Sequence, residues 1–273
     1  MSRWTIDEPT TLDFDGVVML KATLFAGNIS VLATDDRPSV HVSDVIGRPL
    51  LVSHEAGMLT VSHEVWEGVL GWLRQEPTSA SVTVMLPRDC PVQINLVSAD
   101  AVITGLSART SIKTGSGDVT LDGVTGQIDA NTVSGGVEAQ GLDGTVSFNS
   151  VSGGLALAGG SVDRLAARSV SGKIAADIAL GQGSQVQVST VSGEVALRLP
   201  ASTSAQVNLN STAGRVETAF AELDHFERPV TRSFSGTLGD GSGHLSVHTV
   251  SGSVTLLSRP DPAPLEGAPH VED

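Results

Sequence analysis

A glycine that usually follows serine recurs at nearly regular intervals along this sequence, with an apolar residue two positions after it. The spacings between successive copies are 18, 18, 19, 21, 21 and 38 residues, and Ala99 occupies the same place 18 residues before the first copy. A repeat of this length indicates one small structural unit that is used many times. The aligned glycines are Gly117, Gly135, Gly153, Gly172, Gly193, Gly214 and Gly252.

Apolar residues alternate with polar ones on both sides of each glycine, which is the period of a β-strand with one buried face. Val137 and Ala139 follow one glycine, for example, and Val146 and Phe148 precede the next. The third member of each preceding trio is Thr or Ser, as at Thr132. One interpretation is that these hydroxyls point inward and form hydrogen bonds with one another along a stack. The other is that Thr and Ser are present only because they favour strands and turns.

Two short strands in each repeat cannot bury an apolar face alone, but stacking each repeat on the one before it can. The sequence therefore predicts an all-β fold, a single-chain parallel β-solenoid (β-helix) with coils of about 18–21 residues. The repeated glycines then mark corners, where they supply backbone conformations that a side chain would penalise. The alternative is an antiparallel β-sandwich, which also has short alternating strands but does not require nearly constant spacing.

The regularity of the repeat divides the chain into three regions. Residues 1–80 are predicted to form irregular β-rich coils or a cap, interrupted by a tryptophan-containing insertion at 64–77. Residues 81–258 are predicted to form the regular solenoid, with a charged insertion at 219–244 that we expect to be a loop. The acidic, proline-rich tail at 259–273 has the composition of a disordered segment.

The insertion at 64–77 holds two of the three tryptophans, and its apolar residues have helical spacing. One interpretation is a short helix or loop that covers the end of the coil and protects an edge strand. The other is an exposed apolar tip that contacts a partner or a membrane, although the acidic residues of the segment disfavour an anionic bilayer. The candidate contact residues are Trp66, Val69, Leu70, Trp72 and Leu73.

Residues with catalytic potential are scattered through the repeats. The outward positions of the strand before each corner are small and polar, with Asp129 as a lone carboxylate, whereas glycoside hydrolysis needs two facing carboxylates. The 7 histidines lack the spacing of metal ligands, and no helix follows Ser-Gly to form a nucleophile elbow. We therefore expect no enzyme activity, no cofactor and no metal.

The charge and cysteine content bear on partners and location. A net charge of −14 argues against nucleic acid and against anionic membrane surfaces, since both require a basic footprint. Cys90 is the only cysteine, so the chain cannot form an internal disulfide. The first residues lack the pattern of a secretory signal, and no apolar stretch approaches the ~20 residues that span a bilayer. These observations predict a cytoplasmic protein.

The corner segments "NTVSGGV", "NSVSGGL", "RSVSGKI", "STVSGEV" and "HTVSGSV" resemble the bacterial β-strand-repeat family known as "putative adhesin", a domain of unknown function. The resemblance covers residues 10–258, and the segments "MSRWTIDEP" and "SGSVTLLSRP" look like those of its actinobacterial cytoplasmic members. It implies a single β-solenoid domain and no established biochemistry.

The regular repeats and scattered polar groups predict a non-enzymatic structural or interaction scaffold for an unidentified protein partner. One alternative is an adhesin-like or glycan-binding protein. Another is a bactofilin-like filament protein that self-associates through the ends of its solenoid.

Overall fold

A computed structural model of the protein describes residues 2–63, 77–228 and 231–261. Within these ranges every regular element is a β-strand, and they contain no helix that is long and apolar enough to cross a membrane. The strands are β1 (Ser2–Ile6), β2 (Thr10–Asp13), β3 (Met19–Leu24), β4 (Gly27–Ala33), β5 (Ser39–Ile46), β6 (Leu50–Glu55), β7 (Met58–His63), β8 (Ser79–Leu86), β9 (Val92–Leu96), β10 (Asp100–Thr104), β11 (Thr110–Thr114), β12 (Val119–Asp122), β13 (Thr125–Thr132), β14 (Val137–Ser150), β15 (Leu155–Ser169), β16 (Ile174–Ala179), β17 (Gln185–Thr190), β18 (Val195–Pro200), β19 (Ala205–Ser211), β20 (Val216–Thr218), β21 (Asp224–Arg228), β22 (Thr231–Leu238), β23 (Gly243–Thr249) and β24 (Val254–Arg259).

The repeats stack so that equivalent strands pair in parallel. The strands that precede a corner glycine stack into one column, which we call column 1. The strands that follow a corner glycine stack into a second column, column 2. We call one strand of each column, together with the corner that joins them, a level. The long strands β14 and β15 each begin in column 2 and end in column 1 of the next level. In column 2, Val137 pairs with Leu155, and Leu155 pairs with Ile174. An antiparallel sandwich would not give this parallel register.

The inward-facing residues of both columns form one hydrophobic cluster. Leu155 and Ile174 are 2% and 0% exposed, and Phe148 in column 1 is 0% exposed. Burying such a side chain stabilises the fold by about 1.5–3 kcal/mol. The core is thus a narrow column of aliphatic residues, as the shortage of aromatic residues in the sequence indicates.

The uneven spacing of the glycines has a local cause. Between β14 and β15 the register shifts after Gly144, so Asp163 is an extra residue that forms a β-bulge. The bulge accounts for a spacing of 19 rather than 18 between Gly153 and Gly172. The added residue therefore lies outside the paired core positions, and the inward and outward faces are preserved.

The levels do not follow sequence order at the carboxy-terminal end, which corrects the expectation that each repeat stacks on the one before it. β17 and β18 pair with β23 and β24, and these pair in turn with β19 and β20. The last level of the chain is therefore intercalated between two levels that precede it in sequence.

A similar rearrangement occurs at the amino-terminal end. β3 lies between β7 and β9, and β4 lies between β8 and β10. The connections from β8 to β9 and from β18 to β19 each skip one level. They begin with the same Leu-Pro pair, at Leu86-Pro87 and Leu199-Pro200.

Antiparallel strands cover the ends of the columns. At the amino-terminal end, β6 and β1 extend column 1, while β5 and β2 extend column 2. At the other end, β22 pairs antiparallel with β19, and β21 pairs with β22. The segment at 219–244, expected to be a loop, thus contains a hairpin and the first residues of β23. β22, which belongs to this hairpin, pairs with the outer edge of β19, and a loop would leave that edge unpaired.

Two predicted segments lie outside the described residues. The first is the tryptophan-containing segment, including Trp66, Val69, Leu70, Trp72 and Leu73. The second is the tail predicted at 259–273: its first residue, Arg259, instead ends β24, and the residues from 262 onward lie outside the described ranges. The first segment connects β7 to β8, so its flanking residues belong to the first parallel level, on the edge of the molecule that carries the corner glycines.

Candidate functional site

The corner glycines lie directly against one another along the stack. A β-carbon on Gly135 would lie 2.0 Å from the carbonyl oxygen of Gly117, and one on Gly153 would lie 2.0 Å from that of Gly135. The seven predicted corner glycines are not among the residues with positive φ. Their requirement is therefore close backbone approach rather than an unusual backbone conformation, which changes the reason we gave for glycine at these positions.

A Thr or Ser three residues before the glycine bonds to the corner backbone at six of the seven corners; the exception is Ser150, whose Oγ has no hydrogen-bond partner. The Gly193 N–H donates to Thr190 Oγ1 at 3.0 Å, and the Gly172 N–H donates to Ser169 Oγ at 2.8 Å. Equivalent N–H bonds join Gly117 to Thr114, Gly214 to Ser211 and Gly252 to Thr249. Neither interpretation from the sequence anticipated this: the hydroxyls are inward, but they bond to the corner backbone instead of to one another.

The exposed serine of each Ser-Gly pair bonds to the neighbouring level. Ser152 Oγ donates to the carbonyl oxygen of Val133 at 3.2 Å, and Ser192 Oγ donates to that of Val170 at 3.3 Å. The backbone N–H of each serine donates to the same oxygen, at 2.8 and 2.9 Å. The corners at Gly172 and Gly193, for example, are therefore fixed both within their level and along the stack.

The valine before each Ser-Gly pair points into solvent. These side chains succeed one another on five consecutive levels, because their strands pair in the order β13, β14, β15, β17 and β23. With levels about 4.8 Å apart, the row is about 19 Å long. We call it the valine ridge; it consists of Val133 (55% exposed), Val151 (51%), Val170 (48%), Val191 (47%) and Val250 (51%).

The outward face of column 1 adjoins the ridge and is polar. Ser147, Ala166 and Gln187 follow one another across three levels, and Asn149 Nδ2 donates to Asn131 Oδ1 between levels at 3.2 Å. The single carboxylate that we noted in the sequence, Asp129, forms an ion pair with Arg109 at 3.4 Å.

One carboxylate on the outward face of column 2, that of Asp177, is also paired. Asp177 bonds to Arg198 and lies 2.9 Å from Arg259 Nε. The hydrogen bond from Arg198 is the main reason that the pKa of Asp177 lies below its usual value. Asp177 therefore joins β16 to β18 and β24 through ion pairs that favour its ionised form, which is unsuitable for a general acid.

The remaining reactive side chains are separated from one another. Burial raises the pKa of the Cys90 thiol to about 11, which disfavours the nucleophilic thiolate. Within residues 2–63, 77–228 and 231–261, no three of the His, Cys, Asp and Glu side chains are placed to hold a metal ion.

The structure brings the corner glycines into one line, and the exposed residues on that line are the valines beside them. We did not single out these valines from the sequence, although a signal was present. Ile128, Ala130 and Thr132 alternate inward, so the next residue, Val133, must face outward. The predicted tryptophan contacts lie outside the described residues, and their role stays a prediction.

Residues 78–257 match the family model described as Toastrack DUF4097, which is more than half of the chain. The chain belongs to the Toastrack family. The match begins next to β8, so it includes the regular levels and the intercalated carboxy-terminal level. None of the curated proteins matches this Toastrack chain.

This Toastrack chain is similar to solved structures at low sequence identity. A putative lipid binding protein from Parabacteroides distasonis is 18% identical, with a TM-score of 0.50 over 92% of this chain and 97% of its own. A putative adhesin from Bacteroides fragilis is 10% identical, with a TM-score of 0.42 over 94% and 97%. A putative cell adhesion protein from Clostridium sporogenes is 12% identical, with a TM-score of 0.27 over 92% and 99%. The first of these shows a common all-β fold.

Proposed function

We propose that this Toastrack protein is a parallel β-solenoid that acts as a non-enzymatic interaction scaffold and binds a protein partner along the valine ridge. The observation that carries the proposal is the row of five half-exposed valines on consecutive levels. Isolated exposed apolar residues are common on protein surfaces, but an aligned row is a feature of interaction sites. Nothing in the core requires valine there, because these side chains point away from it.

The rigidity of the ridge supports this proposal. Each corner is held by close backbone packing of its glycine, and every corner except that of Gly153 is also held by the hydroxyl three residues before the glycine. A surface that is already ordered loses little conformational entropy when a partner binds. The ridge can therefore present its methyl groups at fixed spacing.

The proposal treats the protein as a scaffold rather than an enzyme. The pairing of two aspartates and the burial of the thiol support that view. Asp129 and Asp177 are paired with arginines, and the Cys90 thiol is buried. We also propose a cytoplasmic location, which the lack of any internal disulfide supports. Fractionation of the source cells tests this part separately.

Self-association through the ends of the columns receives less support from the architecture. β20 at the carboxy-terminal end of column 2 has three residues, which offers few backbone groups to a second molecule. At the other end, the outermost strands belong to antiparallel pairs. A filament built by parallel stacking of levels would need longer matching edges.

Capture experiments with paired variants test the ridge. Val151→Ser/Val170→Ser removes apolar surface from its centre, while Val18→Ser/Val102→Ser removes two exposed valines elsewhere. We expect the ridge variant to lose a partner that wild type and the control variant recover from source-cell extract, as quantified by mass spectrometry. Equal recovery by both variants contradicts the proposal, provided that circular dichroism shows both to be folded.

A further inference from the structure

Two arginines on the outward face of β15 lie within a set of nine outward side chains that contains no acidic residue. Three positions come from each of three paired strands, and we call the set the polar grid. Arg164 pairs with Thr145 and Gln185, and Arg168 pairs with Asn149 and Ser189. The grid consists of Thr145, Ser147, Asn149, Arg164, Ala166, Arg168, Gln185, Gln187 and Ser189.

We infer that the polar grid binds an acidic, extended segment of a protein partner, whose carboxylates pair with Arg164 and Arg168. This inference rests on the proposed function, because it names the chemistry of the partner that the scaffold binds.

Charge complementarity is the first argument. The protein has a net charge of −14, yet in the described part of the chain neither Arg164 nor Arg168 has an ion-pair partner. Both side chains are exposed. Arg109 and Arg198, on other strands, differ in that each is paired with an aspartate. Two unpaired guanidinium groups on an acidic protein form a local site for anions, and each can hold a carboxylate through two parallel hydrogen bonds.

Spacing is the second argument. Arg164 and Arg168 are four residues apart on one strand, which places them about 13 Å apart. Ala166 lies between them, and because its side chain is only a methyl group the centre of the grid is a shallow depression. An extended peptide lying along β15 has the same rise per residue, so carboxylates four positions apart meet both arginines. The hydroxyl and amide groups of the grid can bond to its backbone.

The neighbouring valine ridge favours a protein segment over an acidic polysaccharide. Val170 follows Arg168 by two residues, and it is 48% exposed. A peptide that pairs with both arginines therefore reaches the ridge two positions later, where an apolar side chain can pack. A polysaccharide has no comparable apolar group for the ridge, and the grid has no aromatic ring on which a sugar could stack.

Binding of fluorescently labelled poly-L-glutamate, measured by anisotropy at low salt, tests the inference. Arg164→Gln/Arg168→Gln should weaken binding about tenfold, because each charge-assisted contact at an exposed site contributes a factor of about three. Arg3→Gln/Arg88→Gln removes the same charge from other exposed positions and should retain most of the affinity. Both arginine pairs are exposed, so all variants should fold, as thermal melts will show.

Two results would overturn the inference. One is equal binding of poly-L-glutamate by the two double variants. The other is tighter binding of polygalacturonate than of poly-L-glutamate with dependence on Arg164 and Arg168, which would assign the grid to acidic glycans. If Arg164→Gln/Arg168→Gln still captures a cellular partner that Val151→Ser/Val170→Ser loses, the proposed function stands and this inference fails.

Discussion

A β-carbon placed on Gly252 would lie 2.0 Å from the carbonyl oxygen of Gly193, although a complete level and a hairpin separate the two residues in sequence. Gly214, which comes next after Gly193 among the repeated corner glycines, instead lies against Gly252. The last level of the chain therefore separates two levels that the sequence places together. Arg259 contributes to its attachment, because its Nε lies 2.9 Å from Asp177 two levels away.

Removing the intercalated level should release the strands beyond it. Deletion of residues 240–273 removes β23 and β24; among the described strands, β20 pairs only with β24. We expect backbone amides of residues 212–219 to lose most of their protection from hydrogen exchange, as measured by mass spectrometry, because their partners lie in the deleted residues, whereas β19 keeps its pairing with β22. Deletion of 262–273 alone is the control and should leave that protection intact. Unchanged protection in the longer deletion would mean that β20 does not depend on the intercalated level.

Close packing of the corner glycines predicts a large cost for the smallest side chain. In Gly153→Ala the new methyl group meets the backbone of Gly135 at 2.0 Å, so the levels must shift apart. We expect unfolding free energy to fall by about 1–3 kcal/mol, the range for forced overpacking.

Gly181→Ala is the matched control for this substitution, because its β-carbon would be 3.6 Å from Ser184 Oγ, at ordinary contact distance. Chemical denaturation of both variants measures the difference. A Gly153→Ala variant as stable as Gly181→Ala would show that the corners can separate at little cost.

The corner hydroxyls should stabilise the fold by satisfying a buried backbone donor. Thr190→Val keeps the shape of the side chain but leaves the Gly193 N–H without its 3.0 Å partner. We expect a loss of about 1–3 kcal/mol in unfolding free energy. Thr190→Ser retains the hydroxyl and should lose less, since Ser169 performs the same role one level away. Equal losses would attribute the effect to packing instead.

The sequence predicts the strands and their inward faces because both depend on local alternation. Val137, Leu155 and Ile174 are in register, as equal repeats require. The order in which the levels stack does not follow from local alternation. Every level presents similar aliphatic residues to its neighbours, so several stacking orders would bury the same apolar surface. The duplicated Leu-Pro pair was the available signal, since both copies begin connections that skip a level.

The candidate site was predictable in part. Its corner glycines stand out as a repeat, and the outward direction of Val133 follows from the inward direction of Thr132. The outward face that contains the polar grid can also be aligned from the sequence, because Asn149, Arg168 and Ser189 each lie four residues before a corner glycine. The sequence does not show which arginines are paired, since Arg109 and Arg198 form ion pairs with aspartates on other strands.

The buried thiol of Cys90 should react only when the protein opens. Its pKa of about 11 leaves very little thiolate at pH 8, and the side chain is 2% exposed. We expect labelling by a disulfide reagent to be slow in the native protein and to accelerate through the unfolding transition. Rapid labelling under native conditions, at the rate of a small free thiol, would contradict this burial.

Stability should decrease as pH falls below neutrality, in part because of His63. Burial is the main reason that its pKa lies below the usual 6.5, and the positive charge of Arg48 acts in the same direction. The folded state therefore keeps the ring neutral, while the unfolded chain takes up a proton near pH 6.5. Protons favour the unfolded state from about pH 6.5 down to the folded pKa, and stability is lost over that interval.

His63→Gln removes this titration and keeps an acceptor for the Phe25 N–H, which now donates to His63 Nδ1 at 3.3 Å. We expect the difference in unfolding free energy between wild type and His63→Gln to shrink as the pH is lowered from 7.5 to 5.5. Parallel profiles for wild type and His63→Gln would show that His63 takes up its proton equally well in the folded protein.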